Sequence, residues 1–430
     1  MIPTAPARLV IGDRELDLPL VPASVGNDGL AVSALLKETG LVTVDPGFMN
    51  TASCESKITY IDGGAGILQY RGYPIEQLAE RSSFLEVAHL LIRGELPSPT
   101  ALDGWVERIE RHTHLHDNFK ALIGAFPTNA HPMAVLSSAV SALPGYYPES
   151  VDPHDPATVE LATVLLLAKV PTIAAYAHRR ALGQEMIGPE RGRGYVADFL
   201  RMAFQPNGGD FDVDPVMVQA LDVLLLLHAD HEQNCSTSTV RIVGSAQANL
   251  YASVSAGINA LSGPAHGGAN EAVLTMLEQI RAAGGDASDF MRKVKNKEGG
   301  VRLMGFGHRV YKNYDPRAAI VKRAADDVLS KLGKRDDLLD IALTLEDIAL
   351  SDDYFIERKL YPNVDFYTGL IYKAMGFEPR MFTPLFAIGR MPGWIAQWRE
   401  MMTDKATKIG RPRQIYTGPT TREYVPLDAR

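Results

Sequence analysis

From Ser83 to Trp398, apolar residues return every three or four positions in run after run, and glycine or proline closes several of the runs. That is the period of an α-helix with one buried face. The first run shows the pattern in full. Ser83 and Glu86 have the spacing of a capping box, Phe84, Val87, Leu90 and Leu91 form a stripe, and Gly94 with Pro97 stops it. The same reading predicts helices over 102–116, 132–143, 159–168 and 215–231, then over 318–332, 337–352 and 381–398. No fixed-length repeat underlies these runs, so a solenoid is not expected. A chain of 430 residues, 46% hydrophobic, can bury a large core and predicts two or three domains.

Ahead of the helices the pattern changes. Residues 1–70 read as β-rich: 8–18 alternates loosely between apolar and charged positions, and 57–61 and 67–70 flank Asp62-Gly63-Gly64, a hairpin turn. Residues 1–21 carry Asp13, Glu15 and Asp17 without a long apolar core, so they do not read as a signal peptide. The best candidate for a membrane span, 161–178, is interrupted by Lys169 and Pro171. It is expected as two buried helical segments with a break, and no membrane partner is expected. A net charge of −8 argues against nucleic acid or an anionic membrane as partner. Two distant cysteines, Cys54 and Cys235, argue against a disulfide framework or structural zinc and fit a reducing cytoplasm. The tail, 408–430, bears Pro412 and Pro426 with little periodicity and reads as an extended arm.

Polar residues gather at a few places. Within Ser262-Gly263-Pro264-Ala265-His266-Gly267-Gly268-Ala269-Asn270, Gly263 and Pro264 end a helix that carries Leu250, Val254 and Leu261. His266 then sits on backbone that two glycines open to close approach, where an imidazole suits proton handling. A turn with an incidental histidine is the plainer reading of that stretch taken alone. His228-Ala229-Asp230-His231-Glu232-Gln233-Asn234 ends the run 224–227. His228 and His231, three apart, are expected on one helix face, as a capping network or as two zinc ligands. Gly305-Phe306-Gly307-His308 permits a tight loop, with His308 as donor to a developing oxyanion and Arg317 as a bidentate clamp for a carboxylate. Asp365 is either a carboxyl made a better base by burial or the N-cap of the helix from Phe366. Arg390, inside the apolar run 385–398, calls for an anionic partner or else snorkels to the surface; Arg411 and Arg413 follow in the tail.

Taken in order, HADHEQN from His228, GPAHGGAN from Gly263, GFGHRVYKNYDPR from Gly305, PNVDFYTG from Pro362 and RPRQIYTG from Arg411 closely resemble the motifs of citrate synthase. The form resembled is the longer bacterial, hexameric type with an N-terminal β-region, and the likeness runs from about Thr51 to Thr417. It implies a mainly α, two-domain helical fold that closes over its substrates. Residues 1–70 would be the β-rich region, 71–267 and 381–430 the large domain with its arm, and 268–380 the small domain. Residues 295–300 and 305–307 would be the mobile segments. The implied reaction condenses acetyl-CoA with oxaloacetate and water to give citrate and CoA, the entry step of the tricarboxylic acid cycle. The family uses no metal and no cofactor besides its substrates, which disfavours zinc at His228 and His231. Asp365 falls at the position of the base, His266 at the donor to the thioester oxygen and His308 at the group that polarises the ketone. His231, Arg317, Arg390 and Arg411 fall at contacts to oxaloacetate, and Lys312 falls near the CoA phosphates. A homodimer is implied, alone or built into a hexamer, with the arm of Arg411 reaching the neighbouring subunit. Some members of this type are inhibited by NADH through a site that includes a cysteine and an arginine. Residues 204–215 lack a cysteine here and Leu165 stands at the arginine position, so NADH inhibition is not expected.

Three other readings compete. 2-Methylcitrate synthase shares the fold and prefers propionyl-CoA, a difference of about one methylene in pocket volume; length and the N-terminal β-region favour citrate synthase. A metal-dependent phosphohydrolase built on His228, Asp230 and His231 would be separated by bound metal and chelator sensitivity. A helical interaction protein leaves the convergence of histidines, aspartate and arginines unexplained.

Overall fold

The computed structural model describes residues 5–332 and 337–430. The first four residues of the predicted β-rich region lie outside the described residues. Among those described, the chain forms eighteen α-helices and a few short strands, the mainly α fold that the periodicity predicts. It divides into two compact units, one of Met1–Glu55 with Ile409–Arg430 and one of Ser56–Lys408.

In the first unit, Ala7–Ile11 pairs antiparallel with Arg14–Leu18, Ile11 facing Arg14 across a turn at Gly12. Gly12 takes φ +59°, which a two-residue hairpin turn requires. Leu20–Val21 and Gly29–Leu30 form a second short pair. The tail has almost no regular structure, and every residue from Gly410 to Arg430 is exposed.

The second unit is built on the helix Phe382–Thr403. It packs against Phe84–Arg93, Pro156–Ala181, Pro215–Leu227, Cys235–Gly244 and Leu250–Leu261. Being enclosed on all sides, it shows no single apolar stripe, and Trp394 and Trp398 are wholly buried in it. The helices between 269 and 375 pack on one another: Ala269–Ala282 against Asp337–Ser351 and Val364–Met375, and Pro316–Lys331 against Val364–Met375.

The break expected near Lys169 is absent, since Pro156–Ala181 is one continuous helix. Pro171 has no N–H, which frees the carbonyl of Leu167 one turn back. The hydroxyl of Tyr195 donates to that carbonyl at 2.9 Å. Lys169 is also accommodated: its Nζ donates to the carbonyls of His112 and His114 at 2.7 and 2.6 Å and lies 4.5 Å from the Tyr147 ring centre. Burial pushes this amine down to about 8. By length and composition this helix could cross a membrane, yet most of it is buried inside the fold. Other boundaries differ by less. The run expected over 102–116 is Pro99–Glu110 followed by a separate helix, Asp117–Gly124.

Candidate active site

The helix expected over 215–231 stops at Leu227, and this reshapes the first polar cluster. His228 caps the helix, and its Nδ1–H donates back to the Leu224 carbonyl at 2.6 Å. The chain then turns away, with Glu232 in the left-handed region at φ 56°. His228 and His231 therefore do not share a helix face. The turn lies directly on the backbone of Phe382–Thr403. A Cβ at Gly389 would come 2.9 Å from the Leu225 carbonyl oxygen, and one at Gly393 would overlap the Ala229 carbonyl and the Asp230 carboxylate. Glycines four apart on one helix make that approach possible. Among the described residues, no three His, Cys, Asp or Glu side chains gather as a metal cage.

Asp230 is fully buried at the centre of this turn. Its Oδ2 accepts from Thr59 Oγ1 at 2.6 Å, from the Glu232 N–H at 3.2 Å and from Gln397 Nε2 at 3.4 Å. Tyr70 exchanges hydrogen bonds with its backbone, donating to the Asp230 carbonyl at 2.9 Å. Arg390 is 1% exposed, so it does not snorkel. Its Nε donates to the His228 carbonyl at 2.6 Å and its guanidinium lies over Phe386, while Nη1 has no partner among the described residues. Burial lowers Arg390 to about 10. No carboxylate of the described residues forms an ion pair with it, so this cation is still open to an anionic partner.

The loop 305–315 brings the second cluster to the same place. It docks on the hairpin Thr59–Asp62/Ile67–Tyr70, whose turn is ordered by Asp62 Oδ1 accepting the N–H groups of Gly64 and Ala65 at 2.9 Å. Lys312 N donates to the Gly63 carbonyl at 2.7 Å, and a side chain at Gly63 would overlap the Val310 carbonyl. Held this way, His308 accepts the N–H groups of Val310 and Tyr311 at Nδ1, at 3.0 and 3.3 Å. An imidazole nitrogen that accepts carries no proton, so neutral His308 presents Nε2–H. The rings of His231 and His308 meet edge-on with centres 5.3 Å apart, and Tyr311 Oη lies 3.2 Å from His231 Nε2. Arg317 closes its fork on Asp315, Nε to Oδ1 at 3.0 Å and Nη2 to Oδ2 at 2.9 Å. What it can offer a ligand is therefore Nη1 and the second N–H of Nη2. Lys312 is exposed on this loop, with Nζ 3.2 Å from the Arg309 carbonyl.

His266 follows the helix Leu250–Leu261 as the glycine-bearing turn predicts. Its Nε2 accepts the Ser236 N–H at 3.2 Å and lies 2.9 Å from Ser236 Oγ, which itself accepts from Trp394 Nε1 at 3.2 Å. Neutral His266 consequently carries its proton on Nδ1. Burial holds both His266 and His308 down at about 4, so both are uncharged donors at neutral pH. Beside this turn lies a cleft of about 670 Å³, bordered by Ser262, Pro264, Gly268, Glu271, Val301 and Met304 among others.

Asp365 sits on the second residue of the helix Val364–Met375, and the N-cap is Asn363, whose Oδ1 accepts the Asp365 N–H at 3.0 Å. Asp365 is therefore not the N-cap, and its carboxylate is left for other work. Burial pushes this carboxyl up to about 6, partly offset by the nearby charges of Arg317 and Arg390. His231, His266, His308, Arg317, Arg390 and Asp365 all belong to the second compact unit, whereas Arg411 is an exposed residue of the first.

The family model described as "Citrate synthase, C-terminal domain" matches residues 47–413. The chain belongs to the citrate synthase family. It is a condensing transferase that joins acetyl-CoA to oxaloacetate to form citrate. Citrate synthase 1 of Mycobacterium tuberculosis is 62% identical over 416 residues, covering 97% of this chain and 96% of that protein. The citrate synthase of Corynebacterium glutamicum is 59% identical over 417 residues, covering 97% and 95%. Among solved structures, citrate synthase from Pyrobaculum aerophilum superposes with a TM-score of 0.83 at 38% identity, covering 90% of this chain and 95% of that one. The Thermoplasma acidophilum citrate synthase, solved as a ternary complex with carboxymethyl coenzyme A and oxaloacetate, superposes with a TM-score of 0.82 at 29% identity, covering 90% of this chain and 100% of that one.

Several residues of this citrate synthase site carry no sequence signal of their own. Ser236 reads as one polar residue at a helix start, Tyr311 as loop filler, and Gly63 as a hairpin glycine. Each becomes a site residue only through a partner far along the chain.

Proposed function

We propose that Asp365 takes a proton from the acetyl methyl group while Nδ1–H of His266 donates a hydrogen bond to the thioester oxygen, stabilising the enolate that forms. The enolate carbon then attacks the ketone carbon of oxaloacetate, and Nε2–H of His308 donates a hydrogen bond to the ketone oxygen as it gains charge. Water hydrolyses the resulting citryl thioester to citrate and CoA. The observation that carries this reading is the pair of tautomers. Backbone N–H groups occupy one nitrogen of each histidine, leaving a neutral donor on the other. A neutral imidazole can hold an enolate oxygen by a hydrogen bond without becoming a strong acid that quenches it.

Oxaloacetate is held by His231, Arg317 and Arg390, with Arg411 supplied by the arm of a second subunit in a homodimer. The cleft beside Pro264–Gly268 admits the pantetheine arm of acetyl-CoA, and Lys312 lies toward the CoA phosphates. Residues 268–380 act as the small domain that closes on 71–267 and 381–408, which excludes water from the enolate. No further cofactor is called for. The enzyme is read as cytoplasmic, since two cysteines far apart in the sequence fit a reducing compartment.

The test is thiol release with oxaloacetate, comparing acetyl-CoA with propionyl-CoA in wild type and His266→Ala. Acetyl-CoA should be the better substrate. His266→Ala should lose about a hundredfold or more in kcat while oxaloacetate still binds in calorimetry. A variant that loses oxaloacetate binding yet turns over normally at saturation overturns the role of His266.

A further inference from the structure

Two buried groups of opposite charge in this site are both incompletely partnered, and they do not touch. Arg390 Nη1 and Asp230 Oδ1 are buried without a hydrogen-bond partner among the described residues. Burial raises the Asp230 carboxyl and lowers the Arg390 guanidinium, and each is the first charge that opposes the other's shift, yet no ion pair joins them. Leaving two such atoms unpaired is costly at buried positions, where direct contact would satisfy both. Something therefore holds them apart.

The restraints are visible on each side. Thr59 Oγ1, the Glu232 N–H and Gln397 Nε2 all converge on Oδ2, drawing the carboxylate toward the hairpin and the far end of the helix Phe382–Thr403. Arg390 is held by the His228 carbonyl at Nε and by the Phe386 face, 4.9 Å from its ring centre. Gly393 completes the arrangement, because any side chain there would drive Asp230 from its seat. The result is a cation with a fixed counter-charge that leaves its outer nitrogen unoccupied.

We propose that Asp230 is a positioning residue for oxaloacetate binding, a resident counter-charge that offsets the buried Arg390 cation in the empty site without filling the place of the substrate carboxylate. This rests on the reading that Arg390 binds oxaloacetate. In the free enzyme the counter-charge lowers the cost of burying the guanidinium. In the complex the same negative charge opposes the incoming dianion, so it weakens binding and eases release.

This makes the sign of the effect opposite to that of a merely structural residue. Asp230→Asn keeps shape and most hydrogen bonding while removing the charge. It should lower the melting temperature of the free enzyme, bind oxaloacetate about three- to tenfold more tightly at pH 7.5 in calorimetry, and gain more thermal stabilisation from oxaloacetate than wild type does. Unchanged or weaker binding overturns the proposal. Thr59→Val is the second variant, used also if Asp230→Asn does not fold. It frees a still charged carboxylate to swing onto Arg390, and should raise the KM for oxaloacetate severalfold with kcat at saturation largely kept; an unchanged KM counts against the proposal. Arg390→Gln separates the two layers of the argument. If it leaves oxaloacetate affinity intact, the reading of Arg390 fails. If it abolishes tight binding while Asp230→Asn has no effect, only the counter-charge fails.

Discussion

Asp365 and the two histidines divide the reaction by their charge states, and those states make a pH profile. A base must be ionised to accept a proton, and the Asp365 carboxyl is pushed up to about 6. As pH falls through about 6, kcat/KM should therefore drop with unit slope, because the protonated carboxyl no longer accepts. His266 and His308, held near 4, stay neutral donors throughout that window and add no second limb above it. Asp365→Asn should keep oxaloacetate binding, lose about a hundredfold or more in rate, and lose the acid limb with it. A limb near pH 6 that survives in Asp365→Asn would assign it to another group. At this scale the sequence was informative about identity and silent about state. The motif runs single out Asp365, His266 and His308 by type and neighbourhood. Which nitrogen of each ring carries the proton depends on N–H groups of Ser236, Val310 and Tyr311, placed by folding. Whether Arg390 is paired or open depends on where Asp230 is tied.

Periodicity locates most helices because a buried stripe must repeat at the helical pitch, and it fails where tertiary partners change the rules. Pro171 should break a helix, and does not, because Tyr195 from another helix satisfies the carbonyl that proline frees. The 215–231 run continues in pattern to His231 but ends at Leu227, because Gly389 and Gly393 on a distant helix offer the turn a backbone to lie on. The hairpin turn is a similar case. Asp62-Gly63-Gly64 predicts a turn, but its glycine has a second duty, which is to let Val310 and Lys312 dock. Gly63→Ala should displace the loop that carries His308 and lower kcat/KM by roughly tenfold to a hundredfold, although Gly63 touches no substrate. Gly104→Ala is the matched control, since a side chain there meets nothing within 4 Å. Equal kinetics for the two variants would show that the hairpin does not position the loop.

At the scale of the whole molecule, Arg411 stands apart from the other proposed oxaloacetate ligands. It belongs to the compact unit of Met1–Glu55 and Ile409–Arg430, in an arm that is exposed from Gly410 onward and nearly devoid of regular structure. An arginine with no buried surroundings of its own gains a function only from a surface that meets it, and under two-fold symmetry each subunit of a dimer would lend its Arg411 to the other. That exchange is testable by complementation. Asp365→Ala and Arg411→Ala enzymes, each nearly inactive, are unfolded and refolded together in equal amounts. In a mixed dimer one site lacks both groups and the other regains both. With random pairing half the dimers are mixed, so roughly a quarter of all sites should recover. If Arg411 instead serves its own subunit, every site in a mixed dimer lacks one group and nothing is regained. Mixing the folded variants without subunit exchange is the control and should recover nothing. Mixed dimers verified by differential tagging, with activity no higher than that of the separate variants, would rule out action across the interface.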